Sequence, residues 1–324
     1  MRKLSFLCLL LSGPAIAQTF DLEQFDQLFR PRVRLDAHWT PSLALADSAG
    51  DYEDRSASAV LTFPIHKHWS ANVQLDLDGK DLKDILKNTV RVKASQVMGN
   101  VRFGSRQVLL GEDATPRQLY SASLGALGIS LTKKYRVLFW SANLNVSEED
   151  RSFDTAVPRG SAVLGKMHIK GAQRQFFYGL ALAVSDHFVL PSPFIGGTAP
   201  LGGDWSFQYM LPVQVAVGFK PQARTKFMTG IGLDGFRSGI EWDNDRANLN
   251  YAGARAFLNV RHKVGDHFQL RADVGYAFAH TARVGSGGDD VGRYPITPGP
   301  SFGVGVNVLF GESVLERVMD EVLR

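Results

Sequence analysis

The chain has 324 residues, of which 44% are hydrophobic and 21% are charged, and this composition excludes a disordered polar chain. After residue 17 no segment approaches the roughly 18 consecutive apolar residues of a transmembrane helix, so a membrane form of the mature protein would have to be a closed β-barrel. The formal net charge of +4 falls to +2 once Arg2 and Lys3 leave with the leader described next. Nucleic-acid binding is therefore not indicated.

The first 17 residues are predicted to be a secretory signal peptide. A short basic start precedes an apolar run at 4–11, and small residues at positions 15 and 17 form a cleavage site before Gln18. Cys8, the one cysteine of the chain, lies inside the apolar run. The exported protein is therefore predicted to contain no disulfide and no thiolate metal site.

Residues 18–30 are predicted to be a short N-terminal segment on the periplasmic side. Leu22, Phe25 and Phe29 have a helical spacing. This spacing favours a short helix that lies in the periplasm or enters the lumen of the structure that follows.

The main signal in the rest of the chain is an alternation with a period of two, which is typical of β-strands with one apolar face. From 205 to 219 every odd position is apolar. Val215 is therefore predicted to face lipid and Gln214 the lumen. The same alternation recurs at 69–77, 176–184, 268–278 and 302–310.

These runs are long, and their length favours a membrane protein. Strands of a soluble β-sandwich usually have about 5–6 residues, whereas a tilted membrane strand needs about 9–11. Aromatic residues at the ends of the apolar faces are also typical of outer-membrane barrels. Residues 31–310 are therefore predicted to form an all-β, antiparallel transmembrane β-barrel, and a soluble periplasmic β-protein is the alternative.

Short and long connections alternate along the chain, and this order predicts the number of strands. Tight turns are expected near 66–68, 133–134, 171–173, 220–224 and 264–266. Longer loops are expected at 41–55, 79–118, 147–159, 187–204, 235–246 and 281–299. Together they join twelve strands, and an even number places both termini in the periplasm.

Two segments complicate this count. Residues 81–87 favour a short helix, whereas 97–103 and 107–110 are also able to form an additional hairpin, which would give fourteen strands. Pro212 falls inside the alternating run at 205–219, and proline cannot donate to a strand ladder. A bulge or kink is therefore expected there.

Residues 311–324 are predicted to form a C-terminal amphipathic helix. Ser313 and Glu316 match a capping box, and apolar residues from Val314 to Leu323 share one face. The helix is expected to pack under the mouth of the barrel, with docking of a partner as the alternative.

No motif points to chemistry. Glycines at 230, 232 and 235 match GxGxxG, but they lie in a period-two strand without a βαβ unit, so they are interpreted as small lumen-facing residues. His66 and His68 have no third ligand nearby. We predict no catalytic, cofactor-binding or metal-binding residue. A serine, a histidine and an acid brought together from separate strands would escape this reasoning, because catalytic geometry is spatial.

The polar positions of the predicted strands indicate which side chains line the lumen. The candidates are Arg32, Arg34, Asp76, Asp78, Lys166, Lys170, Arg271 and Asp273, with Asp36, His38 and His168 beside them. A lumen of mixed sign either cross-links into a solid interior or lines a narrow aqueous path, and the sequence leaves both open. Because the signs nearly balance, small or no conductance with weak selectivity is predicted.

Several short motifs carry a resemblance to a known family. They are Pro116-Arg117-Gln118-Leu119-Tyr120 before Leu124-Gly125, Leu190-Pro191, Leu211-Pro212, Phe219-Lys220-Pro221 and Val274-Gly275-Tyr276-Ala277-Phe278. With them, nearly the whole mature chain resembles a family of bacterial outer-membrane β-barrels catalogued as a domain of unknown function. The resemblance implies the location and the fold, and no substrate or catalytic residue. It also makes Phe310 a candidate assembly signal, because the final strands of such barrels usually end with phenylalanine.

The function predicted from the sequence is that of a non-enzymatic outer-membrane barrel, either a narrow channel or a structural component of the surface. A hydrolase acting on lipid or peptide is the alternative within the same fold. The expected partners are outer-membrane lipid, lipopolysaccharide and the barrel-assembly machinery. Nucleic acid is not expected as a partner, no cofactor is predicted, and the substrate is left unknown.

Overall fold

A computed structural model describes residues 29–73, 90–112, 115–132, 136–149, 153, 156, 158–171, 174–185, 188–243, 245–286 and 289–311. Within these ranges the chain forms fifteen β-strands. They are β1 Arg32–Ala44, β2 Asp51–Val73, β3 Val90–Gly111, β4 Arg117–Thr132, β5 Arg136–Glu148, β6 Arg159–Gly171, β7 Arg174–Ser185, β8 Phe188–Gly202, β9 Trp205–Leu211, β10 Gln214–Gln222, β11 Thr225–Trp242, β12 Asp245–Val264, β13 Phe268–Ser286, β14 Asp289–Ile296 and β15 Gly299–Leu309.

The strands form one closed antiparallel sheet. Strands β1 to β13 each pair with their neighbours in sequence, and β15 pairs with both β13 and β1, which closes the circle. Strands β14 and β15 both pair with β13 and are separated only by residues 297–298, so they act as one interrupted strand. The described barrel therefore has fourteen strands around its circumference. We call the end where β1 begins and β15 ends the proximal end, and the opposite end the distal end.

The prediction of twelve strands is wrong, because two strands lie in segments that were expected to be loops. Strand β3 fills most of 79–118, so the additional hairpin expected from 97–103 and 107–110 is one continuous strand. Strand β8 fills most of 187–204. Conversely, the tight turn expected at 66–68 is absent from the described chain, since β2 runs through it with a register shift between Pro64 and His66.

The single strand expected from 205 to 219 is two strands, β9 and β10, joined by a turn at Pro212. Proline cannot continue the ladder, and the chain reverses instead of bulging. Gln214 pairs with Met210 across the turn, so the two strands keep the same parity. For this reason the alternation continues through the turn without a break.

The other connections agree with the prediction at four turns. One strand ends and the next begins at or within two residues of 133–134, 171–173, 220–224 and 264–266, where β6 ends at Gly171, β10 at Gln222 and β12 at Val264. The predicted signal peptide, the helix at 81–87, most of the N-terminal segment and most of the C-terminal helix lie outside the described residues. The part of the chain that the structure describes contains no helix long and apolar enough to cross a membrane.

The outer surface of the barrel is apolar, as the alternation predicts. Val215 is 38% exposed, whereas Gln214 is 6% exposed and faces inward. Other large apolar side chains exposed on the outside include Leu35, Phe103, Leu124, Leu144, Leu164, Leu180, Ile231, Val274, Tyr276 and Val304. A closed sheet with such a surface fits the hydrocarbon interior of a membrane, because most of its backbone groups pair between neighbouring strands and its outward side chains are apolar.

The barrel narrows toward its distal end. The β5–β6 ladder stops at Asn145 and the β10–β11 ladder stops at Gly232. Beyond these points β5 and β11 approach each other, and the hydroxyl of Ser147 donates to that of Ser238 at 2.9 Å. The distal end is thus built from β1–β5 and β11–β14, while β6–β10 contribute only to the wider, proximal part.

An apolar core fills the distal end, and we call it the distal core. It consists of Leu43, Leu45, Tyr52, Val108, Leu110, Leu119, Phe236, Ile240, Ala247, Leu249, Ala282, Val284 and Ile296. The Tyr52 ring stacks on that of Tyr251, with centroids 5.4 Å apart. Because protein cores are close-packed, these side chains block the axis of the barrel.

Candidate lumen site

Below the distal core the lumen holds a cavity of about 470 Å³. Its walls are the inward-facing side chains of the strands, so its chemistry follows from the residues at one parity of each strand. Of the described residues that line it, seven are arginines and one, Asp36, is acidic. The described lining of this cavity is therefore mainly cationic, whereas the sequence predicts a lumen whose signs nearly balance.

Strand register brings five of these arginines together. We call them the arginine patch: Arg32, Arg34, Arg102, Arg261 and Arg271. Arg261 of β12 lies directly opposite Arg271 of β13. Val60 of β2 pairs with Arg34 of β1 on one side and with Arg102 of β3 on the other. The patch thus covers the continuous stretch of wall from β12 through β13, β15, β1 and β2 to β3.

Asp36 offsets part of this charge. Its carboxylate accepts a hydrogen bond from Arg34 Nε at 2.6 Å and lies 4.0 Å from Arg271 Nη1. One carboxylate shared by two guanidinium groups leaves an excess of positive charge. In a cavity with low-dielectric walls this excess attracts anions more strongly than it would in water.

Arg32 gives a further sign that the patch accommodates an anion. Its Nε atom is buried and has no hydrogen-bond partner among the described residues. A buried donor on a charged group costs free energy when it is unpaired. An anion or an ordered water in the cavity would supply the missing acceptor for Arg32.

The cavity wall opposite the patch is apolar. Phe139 on β5, Phe177 on β7 and Phe194 on β8 form the phenylalanine cluster, with ring centroids 6.1–6.2 Å apart. Met210 on β9 packs against it. The cavity is therefore amphipathic, with cationic and apolar walls facing each other.

Glycines make room for the phenylalanine rings. A Cβ atom at Gly165 would collide with the Phe139 ring, and one at Gly196 with the Phe177 ring. Because only glycine lacks a Cβ atom, the rings lie flat against the neighbouring strand. Glycine at these positions keeps the rings out of the centre of the lumen.

Other predicted lumen residues have different positions. Asp273 faces inward, but its carboxylate is held by Arg255 Nη1 at 2.7 Å, with the Asp273 side chain 2% exposed. Lys166 shares the outward parity of Leu164, which is 57% exposed, whereas Met167 is 1% exposed. Lys166 thus lies on the outer face near the proximal turn, where a long side chain reaches polar surroundings while its stem covers apolar surface.

The remaining candidates from the sequence lie either outside the described residues or away from the lumen cavity. Asp76, Asp78 and the side chain of Lys170 lie outside the described residues. His168 shares the outward parity of Lys166, and its ring stacks on the Tyr178 ring with the centroids 5.9 Å apart. Phe310 is 50% exposed, and its backbone N–H donates to the Pro31 carbonyl at the proximal end; its role as an assembly signal remains a prediction.

Sequence reasoning missed Arg102, Arg261 and the phenylalanine cluster. Arg102 falls in a segment expected to be a loop, yet it lies between apolar Val101 and Phe103, which is the alternation of a strand. Arg261 continues the inward parity of Phe257 in β12. Alternation therefore indicates that each arginine faces inward. It does not indicate that the two arginines lie close together, because they are on different strands.

The described part of the chain contains no candidate metal site. No group of three or more histidine, cysteine or acidic residues is placed to hold a metal there. The hydrogen bonds of the described histidines go elsewhere than to serine or a carboxylate: His262 contacts Thr225, His267 the Leu309 carbonyl, and His280 both Tyr251 and the Thr297 carbonyl. The hydrolase alternative gains no contact from these residues.

The fold and the site together define a closed fourteen-stranded antiparallel β-barrel with an apolar exterior and an amphipathic lumen cavity. No protein-family model and no curated protein matches this sequence.

Similar solved structures are also β-barrel proteins or domains. The β-domain of the Bordetella autotransporter BrkA has 9% identity and a TM-score of 0.37, over 87% of this chain and 100% of that one. The transport unit of the autotransporter AIDA-I from Escherichia coli has 11% identity and a TM-score of 0.37, over 92% and 96%. The deltaS2 mutant of TodX, a monoaromatic hydrocarbon channel, has 8% identity and a TM-score of 0.34, over 87% and 90%.

Proposed function

We propose that this protein is a non-enzymatic outer-membrane β-barrel that binds anionic solutes in its lumen and passes them at a low rate. The membrane location is supported by the closed sheet and its apolar exterior, since strands can cross lipid only as a closed barrel. The predicted signal peptide supports export, and among bacterial membranes barrels of this type are characteristic of the outer one.

The arginine patch is the observation that carries the proposal of anion binding. Five guanidinium groups share one region of the cavity wall, with Asp36 as the one acidic residue among the described lining residues. Guanidinium groups form strong, directional hydrogen bonds with carboxylates and phosphates. The solutes expected at this wall therefore carry a carboxylate, phosphate or sulfate group.

The distal core supports a low rate of passage. It closes the axis of the barrel with packed side chains, so the lumen differs from the open channel of a porin. A large, unselective conductance is therefore not expected.

Outer-membrane lipid and lipopolysaccharide are the proposed partners of the apolar exterior. The barrel-assembly machinery is the proposed partner during insertion, with Phe310 as the candidate signal. Both proposals follow from the predicted location, and the resemblance to the uncharacterised outer-membrane family supports the same assignment.

Recording in planar bilayers tests the function. With a KCl gradient, the wild type is expected to conduct weakly. Its reversal potential should have the sign of the chloride equilibrium potential, which indicates that chloride passes more readily than potassium. The double variant Arg102→Gln with Arg271→Gln should shift the reversal potential toward zero. Arg55→Gln is the matched control, since Arg55 lies outside the lumen with its side chain 62% exposed. Potassium preference, or a porin-sized current that these variants do not alter, would contradict the proposal.

A further inference from the structure

The wall of the barrel has a gap beside the phenylalanine cluster. Strand β9 contains only 7 residues and β10 contains 9, whereas a tilted strand needs about 9–11 residues to cross the hydrocarbon, so β9 is too short and β10 is at the lower limit. Their neighbours continue beyond the hairpin. Strand β8 has no partner on this side at residues 188–194. The β10 side of β11 has no strand partner beyond Gly232, and its edge meets side chains of Arg117, Glu149 and Arg159 only at positions 237 and 241. The turn at Pro212 therefore lies at the base of an opening in the wall.

The opening has a defined frame, and we call it the window. Its base is the turn, where Leu233 N donates to the Val213 carbonyl at 2.9 Å. Its distal edge is a contact across the gap, in which Arg237 Nη1 of β11 donates to Ser185 Oγ of β7 at 3.4 Å. The window is thus bounded on the distal side as well as at its base.

The sequence of β8 fits an unpaired edge. Pro191 and Pro193 occupy alternate positions, so both present the same edge of the strand. Proline lacks the N–H group that an exposed edge would leave unpaired, and it is confined to edge strands for this reason. Two prolines within the stretch of β8 that lacks a β9 partner therefore fit a strand with one open edge.

The window communicates with the lumen cavity. Residues on its three sides also line that cavity: Leu190, Ser192 and Phe194 from β8, Pro212 and Val213 from the turn, and Phe236 and Arg237 from β11. Because the distal core closes the axis, the window is the opening toward the distal half of the membrane in the described part of the barrel. A solute that enters here first meets the phenylalanine cluster and then the arginine patch.

We propose that the window admits amphipathic anions, with a long-chain carboxylate as the substrate class, between the lipid and the lumen. This inference rests on the proposed anion-binding function and names its substrate. The carboxylate would bind the arginine patch, where Arg32 Nε has no acceptor among the described residues. The alkyl chain would lie on the phenylalanine cluster, and Arg237 at the window would attract the head group on entry.

Binding of dodecanoate to the purified protein in non-ionic detergent tests the substrate class. Calorimetry is expected to show one saturable site, and dodecanol and dodecyltrimethylammonium should bind weakly because they lack the negative charge. Replacing Arg34 and Arg271 with glutamine should weaken dodecanoate binding by roughly tenfold or more, the loss expected for charge-assisted hydrogen bonds. Arg55→Gln should bind as the wild type does. If dodecanoate fails to bind while the channel still prefers chloride, the substrate class is wrong and the proposed function stands.

Blocking the window after folding tests the route. Val189 lies in the stretch of β8 without a β9 partner, is 62% exposed and does not line the cavity. Val189→Cys is folded, reconstituted in vesicles and then labelled with a bulky maleimide, so the label cannot prevent folding. Labelling is expected to slow the uptake of dodecanoate from the vesicle lipid several-fold while leaving its affinity in detergent nearly unchanged. Val304→Cys, on the outer face of β15 and 62% exposed, is the matched labelled control. Equal uptake rates before and after labelling of Val189→Cys would overturn the window as the route.

Discussion

Arg261 and Arg271 lie directly opposite each other in the ladder between β12 and β13. Like charges in directly opposite positions destabilise a sheet, and Arg261 is only 5% exposed, so water screens the pair weakly. Neighbours compensate in part: Arg261 Nε donates to Asn259 Oδ1 at 2.8 Å, and Asp36 lies 4.0 Å from Arg271. The two arginines thus maintain a positive site at a cost in stability that an anion would relieve.

Sulfate is therefore expected to stabilise the folded protein through this site. At constant ionic strength, added sulfate should raise the thermal unfolding midpoint of the wild type more than that of Arg261→Gln, because only the native site binds the anion. Arg55→Gln should respond as the wild type does. If all three proteins respond equally, the effect is a general one of salt and the arginine patch binds no anion.

The facing of β10 predicts unequal effects at adjacent positions. Val215→Arg should reduce the free energy of unfolding by roughly 2–4 kcal/mol near the middle of the bilayer, because it places a charge in lipid. Gln214→Arg should cost less, since Gln214 faces the lumen. Urea unfolding in lipid vesicles measures both values. Equal losses at the two positions would show that the assigned faces are wrong.

The space at Gly196 predicts a large effect of a single methyl group. Gly196→Ala should reduce the free energy of unfolding by about 1–3 kcal/mol, as overpacking does, because the new Cβ atom collides with the Phe177 ring. Gly160→Ala is the control, since a Cβ atom there meets its nearest neighbour, Val184 Cβ, at 3.7 Å. It should change stability by no more than about 0.5 kcal/mol. Urea unfolding in lipid vesicles measures both free energies of unfolding. Equal losses in Gly196→Ala and Gly160→Ala would refute the assigned position of the Phe177 ring.

The sequence predicts which way side chains face better than it predicts how many strands there are. Facing depends on a local period of two, and Val215 and Gln214 are placed correctly by it. The number of strands depends on where the chain reverses, and the turn at Pro212 reverses it without changing the parity. The alternation therefore contains no signal that would divide β9 from β10.

The candidate site shows the same limit. Arg32, Arg34 and Arg271 lie in the cavity wall, on the face that the local parity of each strand indicates. Lys166 is placed on the wrong face, since a lysine near the end of a membrane strand is able to point outward and still reach polar surroundings. The opposition of Arg261 and Arg271 depends on register between strands, which period-two alternation within each strand does not determine.

The distal core predicts that one buried side chain controls both stability and conductance. Ile240 is 1% exposed within this core, whereas Ile231 on the same strand is 55% exposed on the outer face. Ile240→Ala should lower the free energy of unfolding by about 2–5 kcal/mol, and it should raise single-channel conductance by opening the axis. Ile231→Ala is the control. It should lower the free energy of unfolding less than Ile240→Ala does, and it should leave the conductance unchanged. An unchanged conductance in a folded Ile240→Ala protein would show that the distal core does not limit passage.

The central claim of this account is that an anion occupies the lumen at the arginine patch. The most direct measurement is the anomalous scattering of bromide in crystals of the protein soaked in bromide salt. The account predicts a bromide peak inside the cavity, within hydrogen-bonding reach of Arg32 Nε and beside Arg34 and Arg271, which disappears in crystals of Arg34→Gln with Arg271→Gln. Bromide peaks confined to the exterior of the barrel, with none in the cavity of the wild type, would contradict it.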